Sequence, residues 1–131
     1  MDLELTGKRA LITGGSKGIG KAIARQLLQE GARVVIASRD AGPREAAVRE
    51  LAAGGGEVTG VAVDTSDDAA VKAMVAAALA ALGGIDILVN SAARVAGHAP
   101  PPKLAESTTA LFNDEMNTKV MGYLRLSLIH I

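Results

Sequence analysis

Cysteine and tryptophan are absent from this chain, and its aromatic residues are one tyrosine and one phenylalanine. Without a thiol there is no disulfide framework and no thiolate metal site, and the composition fits a reducing cytoplasm. Charge of one sign is missing too. Fourteen lysines and arginines stand against fourteen aspartates and glutamates, so no net field draws the protein to nucleic acid or an anionic membrane. No apolar run approaches the roughly 20 residues that span a bilayer. The N-terminal stretch MDLELTGKR lacks the apolar core of a signal peptide. A soluble cytoplasmic protein is expected. His98 and His130 stand apart, without a second histidine or carboxylate at ligand spacing, and no metal is assigned.

What the chain does have is a glycine-rich run, TGGSKGIG, from Thr13 to Gly20. Ahead of it Arg9-Ala10-Leu11-Ile12 reads as a buried strand, and behind it Ile19, Ile23 and Leu27 recur at helical spacing. Glycines at such a junction let the backbone turn sharply and approach a ligand, while the helix start offers unpaired amide hydrogens to phosphate oxygens. The spacing Gly14, Gly18, Gly20 is not the commoner G-x-G-x-x-G form. On the motif alone, a phosphate cradle and a plain strand-to-helix turn fit equally well.

Strand and helix alternate along the rest of the chain. Gly31 is placed to cap the first helix, Val34 to Ala37 is a second apolar strand, and Gly42-Pro43 starts a helix that Gly54-Gly55-Gly56 ends. Val58 to Val63 supplies a third strand. Ser66 is expected to cap the next helix, with Asp67 and Asp68 in its first turn and Val71, Val75, Leu79 and Leu82 as its buried stripe. Gly83-Gly84 closes it, Ile85 to Val89 is a fourth strand, and Ser107 or Thr108 opens a last helix running past Asn117. Among these, the segment from Ala69 to Ala81 is rich in alanine, a good helix former. With 131 residues the chain forms one domain, burying roughly two thirds of its unfolded surface. The order predicts an α/β fold: a doubly wound parallel sheet with right-handed crossovers and helices on both faces. Ligands bind such sheets at the carboxyl ends of the strands. There the pattern places Thr13 to Gly18, Ser38-Arg39, Asp64-Thr65 and Asn90 to Arg94.

Taken singly, Asp64 also reads as a helix-capping carboxylate, Asn90 as a turn residue, Arg39 as a solvated loop cation and Asn117 as a helix-surface residue. Together, the glycine run, Asp64 after the third strand, Asn90-Ser91-Ala92-Ala93 after the fourth and Asn117 in the next helix resemble the short-chain dehydrogenase/reductase family. The resemblance runs from about Leu5 to Arg125. It implies a Rossmann-type fold, here truncated after the helix following the fourth strand, with strand order 3-2-1-4. It also implies NAD or NADP as cofactor and hydride transfer between nicotinamide and a small-molecule alcohol or carbonyl. The complete enzyme is expected to be a homo-oligomer.

Position by position, the resemblance assigns Gly14, Ser16, Lys17, Gly18, Ile19 and Gly20 to the diphosphate loop and Asp64, followed by Thr65, to the adenine. It assigns Asn90 and Ala92 to the segment beneath the nicotinamide ribose, although Ser91 and Ala93 depart from the family's Asn-Asn-Ala-Gly. An acid some 20 residues beyond the first glycine holds the ribose hydroxyls in NAD-binding sites. Ser38 stands there instead, followed by Arg39, and with Lys17 two cations converge where a 2′-phosphate would lie. NADP is therefore expected over NAD, with Asp40 able to weaken the site by pairing with Arg39. Asn117 matches the family's asparagine, which holds a water in a proton relay. Its serine and Tyr-x-x-x-Lys have no counterpart: the sole tyrosine, Tyr123, is followed four residues on by Ser127. The proline-rich loop Arg94 to Lys103 is expected to border the substrate.

The last six residues, 126–131, match what one reading frame of a common transposase adapter used in sequencing libraries encodes. They are expected to be a non-native tail on an incomplete cofactor-binding domain, residues 1–125. Two function classes follow. One is the cofactor-binding part of an oxidoreductase, inactive by itself; the other is a stand-alone nucleotide-binding or regulatory module. Dehydratase and epimerase relatives share the early motifs.

Overall fold

The computed structural model describes residues 1–93 and 103–128. Among them, four strands form one parallel sheet: β1 (Arg9–Thr13), β2 (Arg33–Ser38), β3 (Val58–Ala62) and β4 (Ile87–Asn90). The strand order is β3-β2-β1-β4, as the family resemblance implies. In register, Thr13 lies beside Ala37 and Asn90, and Ser38 beside Ala62. All four strands thus end along one edge of the sheet.

Side chains on alternate positions of a strand point to opposite faces, and β1 and β2 are apolar on both. One face packs Leu11, Val35 and Ala37 against the helix α3 (Asp68–Leu82). The other packs Ala10, Ile12, Val34 and Ile36 against α1 (Gly18–Gln29) and α2 (Ala41–Ala52). Leu11, Ile12 and Ile36 are wholly buried, each contributing roughly 1.5–3 kcal/mol. After β4 comes a 3-10 turn, Leu104–Glu106, and then one helical run. It consists of α4 (Thr109–Glu115), a π-helical segment (Met116–Met121) and α5 (Gly122–Ser127). Leu126 joins the core on the α3 side.

Several local readings shift. The cap of α3 is Asp67, which accepts from the Ala70 amide at 3.0 Å. Ser66 is drawn away because its amide and hydroxyl both donate to Asp64 Oδ1, at 2.9 and 2.6 Å. Leu79 is exposed, and the buried stripe of α3 is Val71, Met74, Val75, Ala78 and Leu82. Thr108, not Ser107, opens α4 by accepting from the Leu111 amide. Pro43 is the third helical residue of α2, not the first, still inside the turn that has no use for its missing N–H. β4 begins at Ile87 rather than Ile85; just ahead of it Asp86 is held by Arg9, whose Nε and Nη2 donate to the two carboxylate oxygens at 2.9 and 2.8 Å. Arg9 and Arg33 also donate to the carbonyls of Gly83, Leu82 and Ala81, satisfying the end of α3. This edge, opposite the strand exits, is the anchored end of the sheet.

Candidate functional site

A cleft of about 510 Å³ opens along the carboxyl edge of the sheet. One wall is the glycine turn between β1 and α1. Gly14 has φ +70°, and a Cβ there would sit 2.5 Å from the Ser91 carbonyl oxygen and 2.9 Å from Ala92 Cα. Only glycine permits that approach. Gly20, the third residue of α1, lies against the Gly14 carbonyl with no room for a side chain. Thr13, wholly buried, clasps the two loops: its hydroxyl donates to the Val89 carbonyl and accepts from the Ala92 amide, both at 3.4 Å.

Ser16, Lys17, Gly18 and Ile19 line the cleft where α1 begins. Lys17 is the N-cap residue but makes no capping hydrogen bond, and α1 has no acid in its first turn. The orphan amides and the positive end of the helix dipole therefore face the cleft uncompensated, an arrangement suited to an anion. The start of α3, by contrast, is capped by Asp67 and carries Asp68 in its first turn.

The second wall is the exit of β2. Ser38, Arg39 and Asp40 line it, and Lys17 and Arg39 are exposed. Among the described residues neither cation holds an ion pair, and Arg39 does not pair with Asp40. Asp64 and Thr65, after β3, and Ala92, after β4, also line it. Thr65 is buried, and its carbonyl accepts from Arg125 Nη1 at 3.1 Å.

Three sequence-predicted residues lie outside this lining. Gly20 acts by contact with Gly14. Asn90 ends β4 and donates from Nδ2 to Ser127 Oγ at 3.4 Å. Asn117 donates from Nδ2 to the Ser66 carbonyl at 3.3 Å and accepts at Oδ1 from Arg125 Nη2 at 2.7 Å. Its neighbour Thr118, which no local pattern singles out, is the residue of the last helical run that reaches the cleft. The loop 94–102, the histidines and residues 129–131 lie outside the described residues. Among those described, no group of three or more carboxylate, His or Cys side chains is placed to hold a metal, and no helix is long and apolar enough to cross a membrane.

The sequence profile of the short chain dehydrogenase family matches residues 8–130. This chain belongs to the short chain dehydrogenase family. It is 42% identical over 114 residues to D-threitol dehydrogenase of Mycolicibacterium smegmatis, covering 84% of this chain and 44% of that protein. Its fold superposes on L-sorbose reductase from Gluconobacter frateurii, complexed with NADPH and L-sorbose, with a TM-score of 0.87 and 35% identity. That match covers 97% of this chain and 47% of the reductase. A short chain dehydrogenase from Burkholderia cenocepacia in complex with NADP gives 0.85 and 36%, covering 95% of this chain and 49% of that one. The chain thus spans less than half the length of these relatives.

Family membership implies a nicotinamide dinucleotide, and the cleft meets it with unspent hydrogen-bonding capacity. Among the described residues, Ser38 Oγ, Asn90 Oδ1 and Thr118 Oγ1 are buried side-chain atoms without a partner, and Ser38 and Thr118 line the cleft. Buried polar atoms left unpaired cost about 1–3 kcal/mol each.

Proposed function

We propose that this chain is the cofactor-binding part of an NADP-dependent short-chain oxidoreductase acting on a small-molecule alcohol or carbonyl. The observation that carries the reading is the pairing of Lys17 and Arg39 across one cleft, with Ser38 where an acid would repel a 2′-phosphate. Two structural neighbours being complexes with NADPH or NADP supports the same choice.

In this reading the glycine turn and the start of α1 receive the diphosphate through backbone amides of residues 16–19. Lys17 and Arg39 hold the 2′-phosphate, and the hydroxyl of Ser38 donates beside them. Asp64 and Thr65 border the adenine, and the segment from Asn90 to Ala92 borders the nicotinamide ribose. Asn117 serves the proton relay of the complete enzyme. When bound, the cofactor gives or takes a hydride at the nicotinamide ring. The chain's own residues bind and orient it, and the proton-transfer serine and Tyr-x-x-x-Lys are not among the 131 residues. Turnover therefore belongs to the complete enzyme, proposed to be a homo-oligomer that binds neither nucleic acid nor membrane.

Melting followed by circular dichroism tests the reading. A ligand at a hundredfold excess over its Kd stabilises the folded state by about 2.7 kcal/mol. NADP is expected to raise the midpoint more than NAD at equal concentration, and Arg39→Ala to erase the difference. A midpoint that neither cofactor moves would overturn it.

A further inference from the structure

Arg44, in the first turn of α2, occupies a position that helix electrostatics disfavours, because a cation near a helix N-terminus opposes the dipole. α2 has no acid in that turn, only Asp40 at its N-cap, which makes no capping hydrogen bond. The side chain instead bends back to the exit of β2, where Nη1 donates to the Ser38 carbonyl at 2.8 Å and to the Arg39 carbonyl at 3.4 Å. Its stem crosses β3 at Gly60. A Cβ on Gly60 would lie 3.0 Å from Arg44 Cγ and 3.3 Å from Cδ. A glycine inside a strand commonly marks such a close approach. Two features that are unfavourable locally, a basic helix start and a strand glycine, thus serve one contact.

That contact holds the backbone of two of the residues that face the cleft. Ser38 and Arg39 line it, whereas Arg44 does not. We propose that Arg44 is a positioning residue for cofactor choice: its guanidinium clamps the turn after β2 and so aims Arg39 at the 2′-phosphate. The inference rests on the NADP reading above and adds to it the residue that makes the preference possible. NADPH and NADH differ only in that phosphate, so their affinity ratio separates aiming from general support of the fold.

The test is fluorescence titration of NADPH and of NADH into the 131-residue chain and four variants: Arg44→Met, Arg44→Lys, Arg39→Ala and the Arg39→Ala/Arg44→Met double variant. Arg44→Met is expected to weaken NADPH by about fivefold to tenfold and to leave NADH within about twofold. Arg44→Lys restores most of the loss. The double variant binds NADPH no more weakly than Arg39→Ala alone, because coupled residues are not additive. Equal loss for both cofactors, or no loss for either, overturns the inference. So do additive losses in the double variant, which would make Arg44 a direct phosphate contact. A wild-type chain without NADPH preference sinks the NADP reading and this inference with it; a preference that Arg44→Met leaves intact sinks the inference alone. Arg44→Gln gives the same comparison should the methionine variant not fold.

Discussion

One methyl group at Gly14 is enough to break the cleft. It would meet backbone atoms of Ser91 and Ala92 at a positive φ, and backbone cannot step aside as a flexible side chain can. Gly14→Ala is expected to cost about 2–4 kcal/mol, measured by urea unfolding. Gly18 has φ +49° but open space around its Cβ position, so Gly18→Ala should cost only about 1 kcal/mol. At the opposite edge, hydrogen bonds from the Arg9 guanidinium and its backbone amide hold the Asp86 carboxyl well below the usual carboxylate range. A carboxyl lowered by folding stabilises fully above its unfolded pKa, near 4, and the contribution is lost as pH falls from there toward the folded value. Asp86→Asn should therefore flatten the acid limb of the stability profile, followed as midpoint against pH, while an unchanged limb would place acid sensitivity elsewhere. Sequence could name Gly14 and Asp64 as cleft residues only through the family resemblance, since each taken singly also reads as a turn or capping residue. It could not separate Asn117 from Thr118, because which one reaches the cleft depends on how the helix winds.

That winding is a matter of elements. The strands and the first three helices were legible since each pattern is local: apolar runs, glycine stops and, for α3, an acidic helix start. Caps were less so, because Ser66 and Asp67 compete and the outcome depends on Asp64 binding Ser66 first. Asp67→Ala should cost about 1 kcal/mol by thermal melting, and Ser66→Ala should leave the α3 cap in place. The π-helical segment from Met116 to Met121 left no sequence signal. A π turn widens the helix by one residue per turn, and here Thr118, Gly122 and Leu126 all turn inward. Arg125 then ties Asn117 and Thr65 together, a long-range contact that no local pattern announces.

At the scale of the whole molecule, β4 pairs only with β1 among the described residues. Phe112, Met116, Leu124 and Leu128 are exposed along the last helical run. An open strand edge beside exposed apolar side chains favours association between chains. The 131-residue chain is expected to gain mass with concentration in size-exclusion chromatography with light scattering; a monomer of constant mass would show these surfaces to be harmless. The cleft needs nothing from that edge beyond the β4 exit, so binding and association should be separable. The most direct measurement is the pair of dissociation constants for NADPH and NADH on this chain at one salt concentration. NADPH is expected to bind at least about tenfold more tightly. Equal affinities, or no saturable binding of either, would contradict an NADP site built from Lys17, Ser38 and Arg39.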